Sequence, residues 1–503
     1  MSISSNETRS SIGFGIDFGT TNSVVSAFNG RQITSFTDEN NLPHPSVIWF
    51  RGDEEEPVIG REAKKNIRDY TNEPGHKFVR SIKSRIQEQQ EIEIFGKVYY
   101  NADIASKIFQ FLRKDIQNRF SSFPDLSEAV VTIPLYFGGR QRRAIRRAAE
   151  LAGIRVKTFI HEPFAAVIGY LFEKYQSLEK FKDLRKNIIV FDWGGGTLDI
   201  TLVQIADGKI NELGNAGFPN RAGDHFDEML MNYLISQFQD ENNISSDDFL
   251  LNSGVAGIFQ NDAEFSKIEL SDQDKSSINI FDFFALRNES YDFFYAIKKE
   301  EFESIIRKDV EDAVRNLMQV LNASNTDITQ IHEVLLVGGT SKIPLLRELV
   351  YEIFGISKVI PIQNSNTLIS EGAAIISFYN WQPYLVSPLC VQLSDDTLFK
   401  VFDAGDLLDP AFAQKEITFF CTDNRSGEAH LIISEQQDLG KSKEKTLLSV
   451  PVSKTLQNIY KEKINSQFFF DEDLVFTVSA RGSIKGEARQ AFLQDVCYGL
   501  RFA

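Results

Sequence analysis

The strongest constraint on this chain is a pair of matching stretches, Asp17-Phe18-Gly19-Thr20-Thr21-Asn22 and Asp192-Trp193-Gly194-Gly195-Gly196-Thr197. Each follows a short apolar run, Gly13 to Ile16 and Asn187 to Phe191, so a carboxylate and then small or hydroxyl residues fall where a strand must turn back. Glycine lets the backbone approach closely, successive N–H groups can cradle anionic oxygens, and an aspartate can hold a hydrated hard cation between them. One such turn reads most simply as a Gly-rich hairpin end. Here the flanking pattern recurs as well. Ser23 to Phe28 continues the first turn as a strand, Asn29-Gly30 signals a two-residue hairpin and Arg31 to Phe36 returns, while Leu198 to Ala206, Asp207-Gly208 and Lys209 to Leu213 repeat the arrangement. The repetition predicts two similar lobes whose turns face each other across a cleft that could hold one nucleotide.

Between and after the turns, strands alternate with helices. Ala129 to Ile133 reads as a buried strand stopped by Pro134, Arg140 to Ala152 as a helix ending at Gly153, and Ile154 to Ile160 as a strand leading into His161-Glu162-Pro163 and another helix. Asp224 to Phe238, Ala263 to Ser271 and Lys299 to Leu321 read as helices, and Glu333 to Val337 as a buried strand that Gly338-Gly339-Thr340-Ser341 turns into a helix near Pro344. This alternation predicts an α/β architecture. From Trp381 the pattern changes to short alternating runs, Glu416 to Phe420, Ala429 to Ser434, Thr446 to Val452 and Leu474 to Ala480, which predict an all-β module beyond a junction at Trp381 to Leu389.

With 503 residues, 42% of them hydrophobic, the chain exceeds one compact domain and divides into two large parts. A net charge of -16, from 54 basic against 70 acidic residues, offers no electrostatic footprint for direct nucleic-acid binding. The local exception, Arg140-Gln141-Arg142-Arg143 with Arg146 and Arg147, reads as the solvated face of a helix. Three cysteines, Cys390, Cys421 and Cys497, without C-x-x-C spacing disfavour a disulfide framework or zinc site and fit a reducing compartment. No apolar run approaches the length of a membrane span, and Met1 to Ser11 is polar, so a cytoplasmic protein without membrane association is expected.

The motifs together resemble the 70-kDa heat-shock chaperones of the DnaK type, within the actin and hexokinase ATPase superfamily. Gly15 to Ser23 is similar to the family's first phosphate motif, Phe191 to Asp199 to its second, and Val131-Thr132-Ile133-Pro134 with Ile160-His161-Glu162-Pro163 to its first connecting region. Gly223-Asp224-His225-Phe226-Asp227, Ser266 to Ser271, Val337 to Pro344 and Glu371-Gly372-Ala373-Ala374 resemble its further nucleotide and connecting motifs. The resemblance implies a two-lobed actin-like ATPase domain of duplicated ribonuclease H-like subdomains over 12–380, a linker over 381–389 and a small peptide-binding β-sandwich over 390–503, after a disordered N-terminus, 1–11. It implies ATP or ADP with Mg2+ as ligands. Asp17 and Asp192 would hold hydrated magnesium with Asp199 close by, and Gly19, Thr20, Thr21, Asn22, Gly194, Gly195, Gly196 and Thr197 would take the phosphates. Lys83 would place the attacking water and Glu162 would help orient it or coordinate through water, Gly223 would contact the nucleotide, and Glu264, Lys267, Ser271, Gly338, Gly339 and Lys342 would surround adenosine. Phosphoryl transfer asks a protein chiefly for positioning and charge neutralisation, which this set supplies.

The chain departs from the family pattern in several places. Asn380-Trp381-Gln382-Pro383-Tyr384-Leu385 lacks the linker's acid and most of its leucines, Gly138-Gly139 replaces a polar pair, Asn366 replaces an acidic residue, and Ala503 follows the sandwich too soon for a helical lid. The expectation is a slow ATPase and chaperone with weakly held unfolded or extended polypeptide clients, served by a J-domain co-chaperone and a nucleotide exchange factor. The alternative is a nucleotide-bound scaffold or co-chaperone with little turnover and a fixed partner.

Overall fold

The computed structural model describes residues 12–502 apart from 53–55, 72, 88–90, 220, 246–248, 250, 252–254, 287–288, 363, 437–441, 456 and 458–459. The expected disordered N-terminus, 1–11, therefore lies outside the described residues. Two α/β lobes carry the predicted duplication. In the first, Gly13–Phe18 pairs antiparallel with Asn22–Phe28, which pairs with Ile33–Phe36, and on its other side Gly13–Phe18 runs parallel to Glu128–Ile133, followed by Arg155–His161. In the second, Lys186–Trp193, Thr197–Ala206 and Lys209–Pro219 form the same meander, and Ile331–Val337 and Val359–Pro361 add in parallel on the other side. The same strand order in both lobes places Asp17 and Asp192 at equivalent strand ends.

The central strands are apolar on both faces. Ile188 and Val190 belong to the core shared with the first lobe, whereas the alternate residues Ile189 and Phe191 face the second lobe's own helices. This explains why Ile188 to Phe191 reads as an unbroken hydrophobic run. Helices Glu162–Tyr175 and Leu368–Tyr379 cross between the lobes at glycine contacts. A Cβ on Gly372 would press into the Ala165 carbonyl, and one on Gly169 would lie 2.6 Å from the Leu368 carbonyl oxygen. Only bare backbone allows this crossing.

The β module is a sandwich of two four-stranded sheets. One is built from Leu398–Phe402, Leu389–Gln392, Glu428–Gln436 and Ser442–Pro451, the other from Gln414–Phe420, Lys463–Phe470, Phe476–Gly482 and Ala488–Leu493. Phe402, Phe468, Phe470 and Phe476 pack together between them. Two features differ from the sequence reading. Within the stretch expected as a linker, Gln382–Leu385 is a strand, and it pairs with Tyr498–Arg501, which in turn pairs with Lys209 and Ile210 and so extends the second lobe's sheet. The arginine run is not uniformly solvated: Arg142 and Arg146 are 3% and 8% exposed. Their i, i+4 spacing aims both at the sandwich. Arg142 Nε donates to the Asp473 carbonyl at 2.6 Å and its Nη2 to the Gln494 carbonyl at 2.9 Å, while Arg146 Nε meets Asp473 Oδ1 at 2.8 Å.

Gly372→Ala should overpack the helix crossing and cost about 1–3 kcal/mol of stability. Chemical denaturation checks this, and a variant as stable as the parent would show that the two helices can separate freely.

Candidate functional site

Asp17 is the penultimate residue of Gly13–Phe18 and Asp192 that of Lys186–Trp193, so the two matching strands present their carboxylates at the same height in the two lobes. Thr132 Oγ1 donates to Asp17 Oδ1 at 3.2 Å. Asp192 lies directly across the ladder from Asp199. The second turn is closed by Gly194 N–H donating to the Thr197 carbonyl at 3.0 Å. The two turns touch: a Cβ on Gly196 would stand 2.8 Å from Thr20 Cγ2, and one on Gly195 would collide with Thr21 Oγ1. Glycine is required here by close approach of the opposite lobe.

Between the turns lies a buried ion pair. Lys83 sits on the short 3-10 turn Ile82–Arg85, entered through Ser81 at φ 52°, and its Nζ donates to Glu162 Oε1 at 2.8 Å. Glu162 is the first residue of its helix, where the dipole favours an acid. Burial works against the Lys83 charge, but Glu162 and Asp17 outweigh it and hold the ammonium above its ordinary range. Burial, then Glu162, pushes Asp17 up to about 6 despite Lys83. Asp199 is pushed up to about 8 by burial and then by Glu162, and Asp192 well above the carboxylate range by burial, Glu162 and Asp199. Carboxyl groups thus outnumber the available cation, and ionising them all is costly.

The far end of the cleft is built by the second lobe. Lys267 Nζ donates to the Gly223 carbonyl at 2.7 Å and pairs with Asp227 at 2.8 Å. Ser271 Oγ donates to the Lys267 carbonyl at 3.3 Å. Gly338 adopts φ +82°, and a Cβ there would lie 2.8 Å from Asp192 Oδ1. The cleft has a volume of about 340 Å³, within the range of small-molecule sites. It is lined by every sequence-derived site residue except Asp199 and Gly223. Those two stand just behind the wall, Gly223 N–H donating to the Gly194 carbonyl at 3.1 Å and Asp199 opposite Asp192.

Sequence reasoning missed three participants. Lys64 reaches from the first lobe to Glu264 of the second, Nζ to Oε1 at 2.6 Å, and lines the cleft. Thr340 Oγ1 donates to the Gly194 carbonyl at 2.8 Å, tying the third glycine turn to the second. The Tyr136 side chain bonds Thr197 and faces Asp199 and Glu162, so that partial burial of a residue 41% exposed, and then these acids, hold its hydroxyl protonated. Thr340 lay within a quoted motif and could have been found; Lys64 and Tyr136 become visible only through their partners.

Thr21 Oγ1 and Asp199 Oδ1 are buried without a hydrogen-bond partner. Among the described residues, no group of three or more His, Cys, Asp or Glu side chains is set to hold a metal directly, and no helix is long and apolar enough to cross a membrane.

These features define a class: a two-lobed actin-like fold with paired phosphate-type turns, followed by a β-sandwich. The family model described as Hsp70 protein matches residues 13–379. The chain belongs to the Hsp70 family. It is 30% identical over 364 residues to the Chaperone protein DnaK of Ureaplasma urealyticum serovar 10, covering 72% of this chain and 57% of that protein. It is 31% identical over 364 residues to the Chaperone protein DnaK of Mycoplasma mycoides subsp. mycoides SC, covering 72% and 58%. The match thus spans less than three fifths of the length of these relatives.

The raised carboxyl groups set a direction of pH dependence. Because the folded state holds protons on Asp17 and Asp199 up to about 6 and about 8, against 3.8 for an unperturbed aspartate, it binds more protons than the unfolded chain in that window. Their contribution to ligand-free stability therefore falls as pH rises from about 4 to about 8. Asp192→Asn should flatten this slope and raise the melting temperature of the metal-free, nucleotide-free protein at pH 8. Thermal melts of parent and variant between pH 5 and 8.5 check it; identical slopes would count against the electrostatic account.

Proposed function

We propose that the cleft binds ATP and hydrolyses it to ADP and phosphate, and that the chain is a chaperone-type ATPase whose nucleotide state alters the angle between its lobes. The observation that carries this reading is the buried Lys83–Glu162 pair set between two opposed phosphate turns. Backbone N–H groups and hydroxyls of Thr20, Thr21, Asn22 and Gly194 to Thr197 are the natural donors to phosphate oxygens. Lys83, fixed by Glu162, is placed to position the attacking water, and the carboxylate to orient it. No covalent nucleophile is needed. The excess of buried carboxyl groups and the unpartnered oxygen of Asp199 fit a divalent cation. Asp17, Asp192 and Asp199 would hold it through its own water, which suits an ion that dehydrates reluctantly. Magnesium, when bound, supplies charge neutralisation to the phosphate oxygens. Glu264, Lys267, Ser271, Gly338, Gly339 and Lys342 form the nucleoside end, and the Lys64–Glu264 bridge spans the two lobes there.

Unfolded or extended polypeptides are the proposed clients of the sandwich, with a J-domain protein and a nucleotide exchange factor as partners. A second reading, a nucleotide-bound scaffold with little turnover and a fixed partner, is favoured by one observation: the sandwich shares a continuous hydrophobic core with the first lobe. A domain held that firmly is less free to swing with each nucleotide cycle.

Steady-state ATP turnover with magnesium, with and without an unfolded peptide, separates the two. The chaperone reading expects turnover that rises with peptide and is lost in Asp192→Asn. ATP binding without turnover or peptide response would establish the scaffold instead.

A further inference from the structure

The buried Lys83–Glu162 pair and the strand Tyr498–Arg501 are linked through two adjacent residues, His161 and Glu162. His161 ends the strand Arg155–His161 and caps the helix whose first residue is Glu162. Its ring lies against that of Tyr498, with centroids 4.2 Å apart and planes at 30°, and both residues are buried. Tyr498 is itself held on two sides: it opens Tyr498–Arg501, pairs with Leu385, and belongs to a strand zipped onto Lys209 and Ile210. The contact is one of rings, since His161 Nδ1 and the Tyr498 hydroxyl have no hydrogen-bond partner. Burying two unpaired polar atoms is costly, so the packing of the rings has to hold the pair together.

The surroundings keep this contact in place. Arg142 and Arg146 bind the sandwich through Asp473 and the Gln494 carbonyl. Gly139, at the start of their helix, has no room for a side chain, because a Cβ would press into Val475 and Gln494. The close approach of the sandwich thus favours glycine at this position.

We propose that Tyr498 is a positioning residue for ATP hydrolysis: stacked on His161, it fixes the start of the helix Glu162–Tyr175 and so the direction in which the Glu162 carboxylate meets Lys83. The inference rests on the hydrolytic reading above. A carboxylate that can drift no longer holds the lysine at one place, and small misplacements of a positioning group reduce the rate far more than they reduce binding. The strand Tyr498–Arg501, which follows the sandwich and extends the second lobe's sheet, is then part of the ATPase site's support.

The test uses the full chain. Tyr498→Leu removes the ring, and kcat for ATP should fall roughly 10–100-fold while the affinity for a fluorescent ATP analogue stays at the parent value. Tyr498→Phe keeps the ring and discards only the unpartnered hydroxyl, so it should restore kcat. Gly139→Ala disturbs the same interface from the helix side and should lower kcat in the same sense. Parent-like kcat in a folded Tyr498→Leu or Gly139→Ala chain overturns the proposal, as does loss of ATP affinity in step with kcat. A parent chain that binds ATP without turning it over removes the hydrolytic reading and this inference together; parent turnover with an insensitive Tyr498→Leu removes the inference alone.

Discussion

The structure depends on concentrating like charge where two lobes meet. Asp17 is carried on a strand of the first lobe and Asp192 and Asp199 on paired strands of the second, Glu162 starts a helix between the lobes, and Lys83 enters from a short turn. Removed from water, these carboxyl groups disfavour one another's ionised forms, and one lysine offsets only part of the repulsion. The rest of the fold serves to hold that arrangement. Strands buried on both faces make the supports rigid, and glycines in the turns let the lobes come within contact of each other.

The crossing of the helices Glu162–Tyr175 and Leu368–Tyr379 performs the mechanical counterpart. Gly169 and Gly372 let the two backbones touch, beside a hydrophobic core that the two lobes share. Lys64 and Glu264 bridge the lobes again, lining the cleft.

The β-sandwich is fastened by means that differ in kind from those of a flexible tether. Its core is continuous with that of the first lobe, the strand Tyr498–Arg501 that follows it extends the sheet of the second, and two buried arginines bind it, Arg142 at the Asp473 and Gln494 carbonyls and Arg146 at the Asp473 carboxylate. The sandwich and this strand together therefore touch both lobes. Within the segment expected as a linker, Gln382–Leu385 is occupied as a strand beside Tyr498–Arg501.

Local chemistry made much of the fold and site legible in the sequence. The phosphate turns, the hairpins, the duplicated strand order and the glycine turn at Gly338 depend on residues adjacent in the chain, where backbone dihedrals and turn propensities act directly. Contacts between distant segments carry no such local signature. Arg142 and Arg146 looked like a solvated helix face because nothing near them in sequence names Asp473 or Gln494 as partners. Lys64 and Tyr498 carry no signal in the sequence, because their partners Glu264 and His161 meet them only on folding. The sequence by itself determined where each strand must turn and which small, hydroxyl and acidic residues stand at those turns. Only the tertiary structure decided which charges share a low-dielectric space and which domain supports them, because burial and proximity arise when separate elements pack.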